Sequence, residues 1–169
     1  MTLIVHHLNN SRSQRILWLL EEIGAPYEIK FYDRDPVTNL APPELIAVHP
    51  LGKSPVIEDD GRVVTESGAI TEYLCERHGG GHLVPERGTD DHISHLEWLH
   101  FAEGSAMTPI LLRIYTARLG EAAAPIEPRI SQQLDSHFAY MDSRVGENGT
   151  VIGDSLPPAD IMRCPPPEI

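Results

Sequence analysis

A chain of 169 residues, 41% hydrophobic and 22% charged, has an ordinary globular composition with room for one core or two small packed domains, which excludes wholesale disorder. Its formal net charge of -12 repels phosphate backbones and anionic lipid surfaces, so neither nucleic-acid nor membrane partners are expected. No stretch reaches the roughly 18 apolar residues of a membrane span, and the N-terminus MTLIVHHLNNSRSQR lacks the basic start and long apolar run of a signal peptide; a cytoplasmic setting is expected, with Cys75 and Cys164 as thiols.

In chain order, the apolar and β-branched run over 3–8 predicts a first strand, and Asn9, Asn10 and Ser11 supply turn and cap chemistry. Ile16, Leu19, Leu20 and Ile23 recur at helical spacing, with Gly24 where a helix would stop. A second strand is expected over 27–32 and a short helix over 43–48, opened by proline. Pro55-Val56-Ile57 and Arg62-Val63-Val64, joined through Asp59-Asp60-Gly61, read as a hairpin. Residues 67–78 carry Ile70, Tyr73 and Leu74 at helical spacing. The order βαβαββα implies a mixed sheet flanked by helices.

Residues 79–89, GGGHLVPERGT, have a linker composition. Beyond them Ile93, Leu96, Leu99, Ala102, Ala106, Ile110 and Ile114 trace one stripe of a long helix, bent at Pro109. Ile126, Ile130, Leu134, Phe138, Met141 and Val145 trace another, opened by Pro125 or Pro128. Among nine histidines, His78 and His82 are four apart and His92 and His95 three apart, but no carboxylate or cysteine completes a set; no metal is expected.

Three segments, in this order, resemble the glutathione S-transferase family: HHLNNSRSQRILWLLEE at 6–22, HPLGKSPVI at 49–57 and ESGAITEYL at 66–74. The resemblance implies an α/β thioredoxin-like N-terminal domain (1–79), a linker (80–90) and an all-α C-terminal domain (91–169). It also implies a set of ligand contacts. Pro55 is cis in the family, and Ser54, extended before it, would pair with the cysteinyl backbone of glutathione as an added strand. Pro55 as the simple first residue of a strand is the other reading. Glu66 and Ser67, at a helix start, would hold the γ-glutamyl end, although plain capping by Ser67 suits the same residues. Lys53 and His49 would bind the glycyl end.

Thioredoxin chemistry needs a Cys-x-x-Cys where this chain has Asn9-Asn10-Ser11-Arg12-Ser13, so its own cysteines cannot run it. The resemblance assigns a hydrogen-bond donor for the glutathione sulfur here: Ser11 first, with Asn10 and Asn9 as rivals, and Ser11 as a mere N-cap the bland alternative. Lowering the thiol pKa by about two units takes roughly 2.7 kcal/mol of preferential thiolate stabilisation, within reach of one such bond and a helix dipole. Glu103, four residues past Leu99 on an apolar face, would reach the γ-glutamyl amine in a homodimer, or form a plain interhelical ion pair.

The function implied is detoxifying transfer of glutathione, as cosubstrate, to a small hydrophobic electrophile, with the second domain's first helix setting substrate choice. A glutathione-dependent disulfide reductase or peroxidase, and a non-catalytic interaction module of the same fold, are the rivals. Family members run past two hundred residues, so the helical domain is expected to be incomplete. Pro157 stands where a capping serine or threonine is usual, and Pro165-Pro166-Pro167 follows at once.

Overall fold

Strand β1 (Leu3–Leu8) is central because its neighbours on both sides cover it: the sheet order is β2-β1-β3-β4, with β2 (Glu28–Tyr32) parallel to it and β3 (Val56–Asp59) antiparallel. This arrangement comes from a computed structural model, which describes residues 2–81, 83–146, 149–152 and 158–163. His82, Pro157, Cys164 and the closing prolines lie outside the described residues. The chain divides between Val84 and Pro85 into two compact units.

In the first unit the parallel β1–β2 pair requires a crossover, and α1 (Ser13–Ile23) makes it. Ile16, Leu19 and Leu20 are buried on its inner face. Gly24, at φ 71, ends it by turning left-handed and returning its N–H to Leu20 O at 2.9 Å. Helix α2 (Pro43–Val48) seats Leu45 against Leu8 and Tyr32. β3 turns into β4 (Arg62–Thr65) through Asp60 and Gly61, whose positive φ values of 47 and 83 suit an Asp-Gly hairpin.

Helix α3 (Ser67–Arg77) buries Ile70, Thr71, Leu74 and Cys75. Tyr73, expected on that inner face, instead joins Arg77 and His78 around the buried Asp59 of β3. The Tyr73 hydroxyl donates at 2.9 Å, His78 Nε2 lies at 2.8 Å and Arg77 Nε at 3.6 Å. Burial alone would raise the Asp59 pKa, but the bonds from His78 and Tyr73 and the neighbouring charges outweigh it and hold the carboxyl below its usual range. Cys75 is buried and its thiol is pushed up to about 12 by that burial and by Glu72 and Glu76.

The second unit begins with Thr89, whose Oγ1 accepts the His92 N–H at 3.2 Å and caps α4 (Asp90–His100). Asp90 and Asp91 in the first turn favour the helix dipole. The bend expected at Pro109 takes the form of a π turn, Phe101–Ala106, before α5 (Met107–Thr116). Proline has no N–H to return to Ser105 O four residues back, and upstream the Met107 N–H reaches Ala102 O, five residues back. A 3-10 segment, Ala117–Ala123, then leads to α6 (Glu127–Arg144), opened by Pro128.

Of the expected stripe, Leu99, Ala102, Ala106 and Ile110 are buried through the π turn, but Ile93, in the first turn of α4, is 54% exposed. On α6 the inner face is Ile130, Leu134, His137 and Met141, and Phe138 is 43% exposed. The reason is aromatic packing. Phe101 meets the His137 and Tyr140 rings at 5.7 and 5.3 Å, and Trp98 stacks on Tyr140 at 5.5 Å. Helix α7 (Pro158–Arg163) adds Ala159 to the Trp98 cluster and Met162 to Leu99 and Ala102. Its Asp160 carboxylate accepts the Val151 N–H at 3.2 Å. No helix among the described residues is long and apolar enough to cross a membrane.

His95 on α4 is fully buried; among the described residues neither ring nitrogen has a hydrogen-bond partner, and the His92 ring stacks near it at 6.3 Å. Burial, helped by His92, lowers its pKa to about 4. A histidine depressed in the folded state supports stability above its unfolded value near 6.5, and that support is lost as pH falls towards 4. Between pH 7.5 and 5 this one group should cost about 2 kcal/mol. Urea unfolding of His95→Leu should show most of that loss removed, and equal acid sensitivity in both proteins would refute the assignment. Asp59→Asn should cost about 2 kcal/mol at neutral pH, read the same way, because the charge-assisted bonds to α3 go. That stabilisation exists above the carboxyl's unfolded pKa and disappears as pH falls through the depressed one.

Candidate functional site

Sheet register brings three separate segments to one end of β1. The β1–β3 ladder closes with His6 opposite Val56, and the β3–β4 ladder closes with Val56 opposite Thr65. One step further on stand Pro55 and Glu66, with the loop that follows Leu8 alongside. The Ser54–Pro55 bond is cis. The Ser54 side chain takes over where the ladder stops: Oγ donates to His6 O at 2.8 Å and accepts the Leu8 N–H at 3.3 Å. Among the described residues, the backbone N–H and C=O of Ser54 itself make no hydrogen bond.

Ser11 and Ser54, far apart in sequence, meet here with their hydroxyls 3.3 Å apart, Ser11 donating. Ser11 Oγ also accepts the Ser13 N–H at 3.3 Å and lies 2.7 Å from Ser13 Oγ. Ser13 Oγ in turn lies 2.8 Å from Nδ1 of His7. Ser11 and Ser13 are buried, and Ser54 is half-buried. The formal N-cap of α1 is Arg12, whose side chain does not cap the helix, so Ser11 stands one residue outside it and serves its first N–H through a lone pair. That leaves its proton for another acceptor, so serving the helix start and donating to a ligand are compatible tasks for Ser11.

Asn9 and Asn10 are held by Arg34. Its backbone N–H donates to Asn9 Oδ1 at 2.9 Å, its Nε to Asn9 O at 3.0 Å and one terminal nitrogen to Asn10 O at 2.9 Å. The other terminal nitrogen donates to Asn39 O at 3.0 Å, across the loop after β2. Asn10 sits at φ 52, exposed, in the left-handed region that asparagine tolerates.

Glu66, not Ser67, occupies the N-cap of α3, and its φ of 71 with ψ of 123 is a strained conformation for a side chain of this kind. Ser67 is the first helical residue and is buried, so the capping role expected of it does not arise. His49 ends α2 with its N–H on Leu45 O at 3.1 Å, and its carbonyl accepts the Gly52 N–H at 2.9 Å. Gly52 is required there: φ is 55, and a Cβ would come 2.9 Å from Ile46 Cγ1. Lys53, exposed, extends from the same loop beside Ser54. Glu103 belongs to the second unit, half-buried in the π turn, and every other candidate belongs to the first. Among the described residues no three histidine, cysteine or acidic side chains converge as a metal would need.

With this geometry in view, residues 1–76 match the family model described as "Glutathione S-transferase, N-terminal domain". The chain is 35% identical to "Glutathione S-transferase 3" of Schizosaccharomyces pombe, over 97% of this chain and 72% of that protein. It is 30% identical to "Glutathione S-transferase 1" of Saccharomyces cerevisiae, over 94% of this chain and 76% of that protein. The crystal structure of a glutathione S-transferase from Actinobacillus pleuropneumoniae is similar at 32% identity and a TM-score of 0.84, over 95% of this chain and 74% of that one.

Sequence reading missed His7, Ser13 and Arg34. The Ser-x-Ser spacing after a histidine was a local signal for the first two, whereas nothing marked Arg34 among other loop arginines. Arg34→Ala should loosen the 9–12 loop while leaving the fold intact, lowering hydrogen-exchange protection of the amides there about tenfold. Lysine should not restore it, since an ammonium cannot reproduce the planar fork. Unchanged protection in the alanine variant would show that the loop is held by something else.

Proposed function

The chain belongs to the glutathione S-transferase family and is a glutathione transferase, and from that premise we propose that it attacks small hydrophobic electrophiles with a glutathione thiolate activated by Ser11. The observation that carries the proposal is the Ser11–Ser54 pair. A donor hydroxyl stands 3.3 Å from the side chain of a residue whose own backbone is unengaged, next to a cis proline. A glutathione cysteinyl unit paired with the Ser54 backbone N–H and C=O, like an added strand, would bring its sulfur to the Ser11 hydroxyl. Pro55 shapes that edge, Glu66 and the free N–H groups at the start of α3 by Ser67 suit the γ-glutamyl ammonium and carboxylate, and Lys53 with His49 suits the glycyl carboxylate.

The chemistry is charge stabilisation. Free glutathione, like free cysteine, is only a few per cent thiolate at neutral pH. A hydrogen bond from Ser11, beside the positive end of α1, favours the anion, and the thiol proton leaves to water. The thiolate then bonds to the electrophile, whose leaving group or π electrons take up the displaced pair. Homodimer formation, a contact of Glu103 with glutathione in that dimer, and a cytoplasmic setting complete the proposal, and membership of the family supports them.

The ultraviolet thiolate absorbance of bound glutathione, followed against pH, tests the assignment. Wild type should titrate below free glutathione, and Ser11→Ala should move the midpoint up by one to two units, about 1.4 kcal/mol for each. A wild-type shift that survives in Ser11→Ala would transfer the role to Asn10 or Asn9. No early ionisation in wild type would end the proposal. Turnover of a mixed disulfide in place of a chlorinated aromatic would replace it with the reductase reading.

A further inference from the structure

We propose that Ser13 and His7 are positioning residues that set the direction in which the Ser11 hydroxyl points its proton; this rests on Ser11 being the donor to the glutathione sulfur. The four groups His7 Nδ1, Ser13 Oγ, Ser11 Oγ and Ser54 Oγ form one continuous chain, with steps of 2.8, 2.7 and 3.3 Å. Its far end is fixed. Ser54 spends its only proton on His6 O at 2.8 Å and can therefore only accept from Ser11. The direction of the chain is decided at the near end.

Each hydroxyl has one proton. If His7 carries hydrogen on Nδ1, it donates to Ser13 Oγ. Ser13 is then left to donate to Ser11, and the Ser11 proton is directed outward, to Ser54 or to a sulfur replacing it. If Nδ1 is bare, Ser13 donates to His7, Ser11 donates to Ser13, and the proton needed by the thiolate points into the protein. The first arrangement also loads Ser11 Oγ with two incoming bonds, from the Ser13 N–H and O–H. Successive bonds of one direction polarise one another and make the outermost proton a stronger donor. His7 is placed for this by β1, where it lies opposite Phe31 of β2 with the rings 5.3 Å apart, edge to face. Ser13 is placed by the first turn of α1 and is fully buried, so water does not compete for its hydroxyl.

During glutathione ionisation the thiol proton passes to water and Ser11 keeps its own, so neither Ser13 nor His7 gains or loses a proton. Their contribution is orientation.

The experiment is the thiolate titration of bound glutathione in four variants, with glutathione affinity and urea midpoint measured alongside as controls on folding. Ser13→Ala and His7→Leu should each move the midpoint up by about one unit towards free glutathione. His7→Asn, whose amide N–H can stand in for Nδ1–H, should stay within a few tenths of wild type. Ser11→Ala is the reference. If Ser11→Ala shifts the titration while Ser13→Ala and His7→Leu do not, the positioning role is wrong and the Ser11 reading stands. If Ser11→Ala shifts nothing, the underlying reading has failed. Equal shifts in His7→Asn and His7→Leu would overturn the role of the Nδ1 proton. Should Ser13→Ala unfold, the two His7 variants decide the matter alone.

Discussion

The Ser54 hydroxyl holds the site together because it ends the β1–β3 ladder without using a backbone group. The carbonyl of His6 and the amide of Leu8 both need partners where the strand runs out, and an ordinary continuation of the sheet would have supplied them from main chain. A side chain supplies them instead. The Ser54 main chain therefore remains available as a strand edge, and Ser11 finds its acceptor at the same atom. Sheet register does the rest, setting Glu66 and the start of α3 one residue beyond the last paired positions.

Around that point the structure consists of anchors that limit motion in the pieces carrying chemistry. Asp59 of β3 draws Tyr73 and Arg77 of α3, and His78 just past its end, onto the sheet, which anchors the C-terminal half of the helix. Arg34 ties the loop after β1 to the loop after β2 through three hydrogen bonds, and a fourth, to Asn39 O, braces the loop after β2 itself. The strain at Glu66 persists between an ordered strand and an ordered helix. Polar anchors of this kind hold geometry more tightly than apolar contact alone, since each donor direction is specified.

Much of this was legible from residue order. Strands, crossover helix and hairpin of the first unit depend on local signals: apolar spacing, Gly24 after a helix, Asp60-Gly61 between strands. Segment likeness pointed to Ser11, Ser54 and Glu66 before any geometry. The misreadings share one cause, that side-chain partners come from elsewhere in the fold. Tyr73 looks like a core residue until Asp59 is beside it. Phe138 fits an apolar stripe, but Phe101 packs against the neighbouring His137 and Tyr140. Arg34 carries no periodic signal at all; only the tertiary structure gives it the carbonyls of Asn9 and Asn10.

One buried residue bears on survival in the chemistry proposed for this chain. A protein that works among electrophiles exposes its own nucleophiles to them. Cys75, with a thiol pKa of about 12, would hold roughly one thiolate in 10⁵ at neutral pH, against a few per cent for a free cysteine. Packed into the inner face of α3, it is also out of reach. The same burial that builds the core thus leaves the glutathione sulfur without a competitor at this position, and protects the catalyst from being alkylated there by its own substrate.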